Sequence, residues 1–108
     1  MVVTIFRSRL KPEGTKEYYE WAPRMSALAK TMPGYISHKA FAAEDGERVT
    51  IVEFENEDAQ RGWARNLEHM DAQRKGRADF YSEYRIQVCN VIRDSQFKQP
   101  LASDAASR

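Results

Sequence analysis

Two histidines and one tryptophan are the side chains of this sequence best suited to chemistry on a small molecule. His38 and His69 are its only histidines, and an unperturbed imidazole has a pKa of about 6.5, so it can accept a proton near neutral pH. Trp63 offers a flat face on which an aromatic ligand can stack. His69, on the second predicted helix, is our candidate base, and His38, on the second predicted strand, is a candidate for lining the same cavity.

Each of these residues also has an ordinary structural explanation. A histidine on a helix is often simply exposed to solvent, and one on a strand can pair with a side chain of the neighbouring strand. A tryptophan can anchor a helix to a sheet by packing alone. The sequence leaves both interpretations open for His38, Trp63 and His69.

The last predicted strand adds two candidates for binding a substrate. Tyr84 and Arg85 carry donors that could hold a hydroxyl group or an oxyanion. Because neighbouring side chains of a strand point to opposite faces of the sheet, at most one of them can face a single cavity.

Several other kinds of site are disfavoured. Two histidines 31 positions apart and the lone Cys89 give no metal-ligand spacing, and no glycine-rich phosphate loop is present. We therefore expect no metal and no other cofactor. The 17 basic and 16 acidic residues leave a formal net charge of +1, which provides no basic stripe for nucleic acid.

Length and composition indicate one ordinary domain. The chain has 108 residues, of which 42% are hydrophobic and 31% charged. The first ten residues read as a strand and lack a charged leader with a long apolar run, so we expect neither a signal peptide nor a membrane span. A single cysteine cannot form an internal disulfide, which favours the cytoplasm.

The pattern of apolar residues and turns predicts the order strand, helix, strand, strand, helix, strand. Strands are predicted at 2–9, 35–42, 49–54 and 84–92. The first helix carries an apolar stripe from Tyr18 to Met32, and Pro23 within it predicts a kink or a restart. Both helices should lie on one face of an antiparallel sheet, so the predicted class is α+β.

The second helix should begin after Asn56, a typical N-cap residue. Trp63, Leu67 and Met70 are predicted to form its buried stripe. The sequence does not decide whether this helix continues through Asn66, and a break there would turn His69 by an unknown angle.

Apolar residues occur on both faces of the predicted strands. In the first strand, for example, Val3 and Ile5 oppose Val2 and Phe6. Two helices cannot cover both faces, so we predict a homodimer that packs sheet against sheet. The alternative is a monomer with scattered surface apolar residues. Residues 94–108 lack periodic apolar positions and are predicted to be a flexible tail or a dimer arm, which leaves a domain at 1–93.

Several motifs resemble those of the antibiotic biosynthesis monooxygenase family. They are Pro33-Gly34-Tyr35 followed by His38, the turn at 44–47, the strand at 49–54, and Trp63 with Glu68, His69 and Gln73. The resemblance covers residues 1–93. It implies a ferredoxin-like protomer in a dimeric α+β barrel.

The family's subgroups differ in the residues that carry their chemistry. Phenol-oxidising members have a tryptophan followed six residues later by a polar hydrogen-bonding residue, usually tyrosine, and this sequence has Trp63 and His69 there. Heme-degrading members have an asparagine on the first strand and a histidine about three turns after the tryptophan. Arg7 and Gln73 stand in those places, which disfavours heme degradation.

The resemblance therefore implies a cofactor-independent monooxygenase that oxidises a small aromatic hydroxylated substrate, a phenol, quinol or polyketide-like compound, with dioxygen. Such an enzyme needs a base, because a phenolate gives an electron to dioxygen more readily than a phenol does, and it needs a dry pocket. The alternative is a non-catalytic ligand-binding or scaffold dimer of the same fold. A heme-binding or heme-degrading protein is a third and weaker candidate.

Overall fold

The computed structural model describes residues 1–100, and the predicted order of elements is confirmed within them. The strands are β1 (Val2–Leu10), β2 (Tyr35–Ala42), β3 (Arg48–Phe54) and β4 (Tyr81–Asn90). The helices are α1 (Thr15–Lys30), α2 (Glu57–Arg65) and α3 (Leu67–Lys75), with a short 3-10 turn at Pro12–Gly14 and a π-helical turn at Gly76–Phe80.

The four strands form one antiparallel sheet in the order β2-β3-β1-β4. This order, with helices in both crossover connections, is the ferredoxin-like arrangement, so the predicted α+β class is confirmed. Gly34 and Gly46 adopt positive φ angles of 79° and 91°. Since residues with a Cβ rarely adopt this conformation, the two glycines suit the turns that lead into β2 and β3.

The core lies where α1 and α2 meet one face of the sheet. Phe54 is fully buried and forms a cluster with Ala29, Val52 and Trp63. We call this surface of the sheet the helical face. Helix α1 continues through Pro23 as one helix, so it does not restart there.

The second helical stretch is divided in two at Asn66, whose ψ angle of 129° is extended. Asn56 caps the start of α2 as predicted, because its side chain accepts a hydrogen bond from the backbone N–H of Ala59. The predicted stripe through Leu67 and Met70 is wrong: these side chains are 78% and 41% exposed. The extended residue breaks the helical periodicity, so positions after it no longer lie on the face that Trp63 occupies.

No helix covers the opposite face of the sheet among the described residues, and we call it the open face. Its middle is apolar, with the partly exposed side chains of Val3, Ile5, Val49 and Ile51 in neighbouring strands. The observed pattern agrees with the prediction of apolar residues on both faces.

After β4 the chain has no regular secondary structure up to residue 100. The backbone N–H of Val91 donates to the carbonyl of Met1, and the Phe97 side chain is 89% exposed. The rest of the predicted tail, 101–108, lies outside the described residues. Within residues 1–100, no helix has both the length and the apolar character needed to cross a membrane.

Candidate active site

A cavity of about 290 Å³ lies between the helical face and the three helices. Its volume is close to the lower end of the range for small-molecule sites, about 300–1,000 Å³. Aromatic side chains make up much of its wall, namely Phe6, Tyr18, Tyr19, Trp21, Trp63, Phe80, Tyr81 and Tyr84. The site is therefore suited to a small, flat and largely apolar ligand.

Trp63 and His69 stand together on the cavity wall. Their rings stack with centroids 4.0 Å apart and planes inclined by 15°. The break at Asn66 makes this possible, because the Asn66 side chain caps α3 by accepting a 3.1 Å hydrogen bond from the backbone N–H of His69. The same residue therefore ends α2 and fixes the first turn of α3.

A hydrogen bond fixes the orientation and the tautomer of the His69 ring. Nδ1 of His69 lies 2.9 Å from the carbonyl oxygen of Trp63. A carbonyl can only accept, so Nδ1 must carry the proton, and in the neutral ring Nε2 keeps a lone pair. Among the described residues, Nε2 has no hydrogen-bond partner. The ring is thus arranged to accept a proton at Nε2.

Burial also keeps His69 neutral. Desolvation lowers the pKa of His69, and the hydrogen bond to the Trp63 carbonyl offsets this only in part. At neutral pH the imidazole is therefore in its basic form.

His38 lies on β2 and lines the same cavity. Its Nδ1 is 2.7 Å from the hydroxyl of Tyr35. Burial and, to a lesser extent, the nearby charge of Lys30 lower the pKa of His38. A tyrosine hydroxyl can both donate and accept, so this contact leaves the His38 tautomer undetermined.

The two candidates on β4 lie on opposite faces, as strand alternation requires. Tyr84 lines the cavity, whereas Arg85 does not. Arg85 is paired with Arg7 in the β1–β4 register and lies beside a second, polar depression on the other side of the sheet. The structure thus brings together His38, Trp63, His69 and Tyr84 and leaves Arg85 apart.

Sequence reasoning missed Arg48 and Tyr81, both of which line the cavity. Burial, reinforced by the neighbouring Tyr18 and Tyr84 rings, raises the pKa of Tyr81, so its hydroxyl stays protonated and can donate a hydrogen bond. The sequence did contain a signal for Arg48, because it is separated from Val52 and Phe54 by an even number of residues, so its side chain points to the same face of the strand. The predicted strand began one residue later, at Val49, and so omitted it.

Arg7 and Gln73, which stand where heme-degrading members have an asparagine and a histidine, lie in different surroundings: one is on the open face and the other is in the cavity. Arg7 forms a 2.9 Å ion pair with Glu47, on the open face, while Gln73 lines the cavity. In residues 1–100, no three His, Cys, Asp or Glu side chains lie close enough together to hold a metal ion.

The sequence profile described as antibiotic biosynthesis monooxygenase matches residues 1–75. The chain belongs to this family. It is 33% identical over 92 residues to the uncharacterized protein YqjZ of Bacillus subtilis (strain 168), an alignment that covers 85% of this chain and 81% of YqjZ.

Solved structures of the family share the fold. A Deinococcus radiodurans protein named for the antibiotic biosynthesis monooxygenases superimposes with a TM-score of 0.81 at 9% identity, covering 92% of this chain and 100% of that one. SnoaB, a cofactor-independent oxygenase from Streptomyces nogalater, gives a TM-score of 0.73 at 17% identity, covering 86% and 94%. At these identities the likeness shows the common architecture alone.

Proposed function

We propose that this protein is a cofactor-independent monooxygenase that oxidises a small aromatic hydroxylated compound with dioxygen. The observation that carries the proposal is the His69 ring, held by the Trp63 carbonyl so that Nε2 is its proton acceptor in an aromatic cavity. The name of SnoaB, a cofactor-independent oxygenase of the same fold, supports the proposal.

The reaction begins with a proton transfer. His69 Nε2 accepts the proton of the substrate hydroxyl, and the resulting phenolate transfers one electron to dioxygen, giving a phenoxyl radical and superoxide. These combine into a carbon–oxygen bond at the ring carbon para to the oxygen. His69 then returns its proton to the terminal peroxide oxygen.

The peroxide next breaks down. Loss of the remaining hydrogen on that ring carbon, as a proton, cleaves the O–O bond and forms a second carbonyl. One oxygen atom stays in the quinone product and the other leaves as water. The substrate supplies all four electrons that reduce dioxygen, so the balance needs no outside reductant.

The cavity wall supports this chemistry in two ways. Its aromatic lining excludes water, which keeps the phenolate and superoxide close together and weakly solvated. The face of Trp63 that is stacked on His69 keeps the imidazole ring from turning. We assign Trp63 this positioning role, and Tyr84 and His38 the role of contacting the substrate.

We also propose that the protein works as a homodimer in the cytoplasm, with the open faces of two copies packed together. The partly exposed apolar side chains in the middle of that face support this arrangement, because a monomer would leave them in water. Light scattering at micromolar concentration should give about twice the 12.5 kDa of one chain. A mass of one chain would contradict the dimer.

Oxygen uptake with a panel of anthrones and of phenols that carry hydrogen at the para carbon tests the activity. Wild-type protein should consume one dioxygen per quinone formed, and metal analysis and absorption spectra should show no bound metal or flavin. His69→Ala should lower the rate by about a hundredfold, the effect expected for one general base. Hemin added in a separate assay should not be converted to ring-opened product.

Two outcomes would overturn parts of the proposal. An unchanged rate in His69→Ala would remove this histidine from the mechanism. No uptake across the whole panel would favour a non-catalytic ligand-binding dimer.

A further inference from the structure

The cavity contains one charge that nothing in the described chain neutralises. Among residues 1–100, Arg48 is the only one on the wall with a permanent charge, and no Asp or Glu side chain of this part of the chain lines the cavity. Arg48 takes part in none of the ion pairs formed by residues 1–100. The adjacent carboxylate, Glu47, pairs with Arg7 instead.

The guanidinium is held in place by aromatic rings. It lies 5.5 Å from the ring centroids of both Tyr18 and Tyr19, and one Nη donates a 3.1 Å hydrogen bond to the Tyr19 hydroxyl. Such contacts fix the position of the charge without compensating it. The cation is therefore preorganised for a partner that comes from outside the chain.

Two buried side-chain atoms in the described residues lack a hydrogen-bond partner, and both belong to residues of this cavity. They are Nε of Arg48 and Oγ1 of Thr4. Buried polar groups are normally hydrogen-bonded, so each exception requires an explanation. Both atoms are enclosed by the chain itself, so a ligand oxygen cannot reach them as they stand. Arg48 Nη2, by contrast, is neither buried nor hydrogen-bonded within residues 1–100, and it is the donor that a ligand can meet.

The position of Arg48 along the sheet indicates how a ligand lies. Val52, which packs against Trp63, is on β3, and Arg48 lies four residues before it on the same strand, about 13 Å along the sheet. The cavity therefore has a cationic end at Arg48 and a proton-accepting end near Trp63 and His69.

We infer that the substrate is a hydroxylated aromatic acid whose carboxylate binds Arg48 while its hydroxyl group lies toward Trp63 and His69. Arg48 Nη2 offers N–H donors beside the positive charge, and a carboxylate is the ordinary partner of a guanidinium. A neutral group would leave the charge of Arg48 uncompensated. This inference rests on the proposed function only in treating the cavity as the substrate site.

Binding of two matched probes without oxygen tests the inference. One probe is 6-hydroxy-2-naphthoic acid and the other is its methyl ester, which keeps the ring and the hydroxyl but removes the charge. Calorimetry on the full chain at pH 7.5 should show the acid binding at least tenfold more tightly than the ester. Because both probes carry the same phenol, the difference reports the carboxylate alone.

Three variants identify the residue responsible. Arg48→Gln should bring the affinity for the acid to within about threefold of that for the ester, with the ester's affinity nearly unchanged. Arg48→Lys keeps the charge but loses the planar guanidinium, so it should keep part of the preference for the acid. Arg65→Gln is the matched control, since this exposed arginine on α2 does not line the cavity, and it should keep the full preference.

Equal binding of both probes by the wild type, no binding of either probe, or a preference that survives Arg48→Gln would overturn the inference. An equal loss for both probes in a folded Arg48→Gln protein would show a structural role and would also overturn it. None of these results depends on turnover. The monooxygenase proposal stands or falls separately, on oxygen uptake with neutral phenols.

Discussion

The two histidines of the cavity differ in what their Nδ1 atoms contact. His69 meets a backbone carbonyl, which can only accept, whereas His38 meets the Tyr35 hydroxyl, which can donate or accept. The first contact forces one tautomer and leaves Nε2 as a base, and the second does not. Burial lowers the pKa of both rings, so the two rings differ in hydrogen bonding rather than in charge state.

The supports behind the two rings also differ. His69 stacks on Trp63, a member of the buried core, while His38 makes an edge contact with Tyr35 at a centroid distance of 5.7 Å. His38 lies on β2, the edge strand of the sheet, which pairs only with β3 among the described residues. A general base must hold its position during proton transfer, and the firmer support of the His69 ring is consistent with the role that we propose for it.

The largest expected effect is the contrast between the two alanine variants. His69→Ala should lower oxygen uptake about a hundredfold because it removes the base. His38→Ala should lower it less than about fivefold, because only a contact with the substrate is lost. Initial rates at saturating substrate measure both. Equal losses in the two variants would show that the histidines act as a pair.

A smaller effect should follow from removing the Asn66 cap. Asn66→Ala should cost about 1 kcal/mol of stability in urea unfolding, the usual value for an N-cap, and should also lower oxygen uptake because α3 no longer holds His69. Asn56→Ala is the matched control, since it removes the corresponding cap of α2. That variant should lose similar stability while keeping its activity. A full rate in Asn66→Ala would mean that the stack on Trp63 is enough to place His69.

The smallest effect concerns pH. Because the folded pKa of each histidine lies below the unfolded value of about 6.5, the unfolded chain takes up protons first as the pH falls. Stability should be full above pH 6.5 and should decrease below it. Melting temperatures between pH 7.5 and 5.0 should therefore fall less steeply in His69→Gln and in His38→Gln than in the wild type.

The pH dependence of the rate distinguishes His69 from His38 as the base. The wild-type rate should decline only below pH 6.5, where His69 becomes protonated, and His38→Gln should keep that decline. A His38→Gln protein that had lost the decline would identify His38 as the titrating base.

The sequence by itself determined the order of elements, the α+β class and the face on which each strand residue lies. These depend on local periodicity, since alternation in a strand follows from the direction of successive Cβ atoms. It assigned Tyr84 and Arg85 to opposite faces and Asn56 to a helix start for that reason. The prediction from helical periodicity was wrong at Leu67 and Met70, because the extended residue Asn66 ends α2 and the next helix presents these side chains to solvent.

Only the tertiary structure decided which nitrogen of His69 is a base and whether Arg48 has a partner. The first depends on the single ψ angle of Asn66, which brings the His69 ring back to the Trp63 carbonyl. The second depends on strand pairing, because Glu47 could have neutralised Arg48 but faces Arg7 instead. The first contact joins residues six positions apart that the break at Asn66 brings together, and the second joins residues 40 positions apart, one on β1 and one just before β3. The apolar periodicity of the sequence encodes neither.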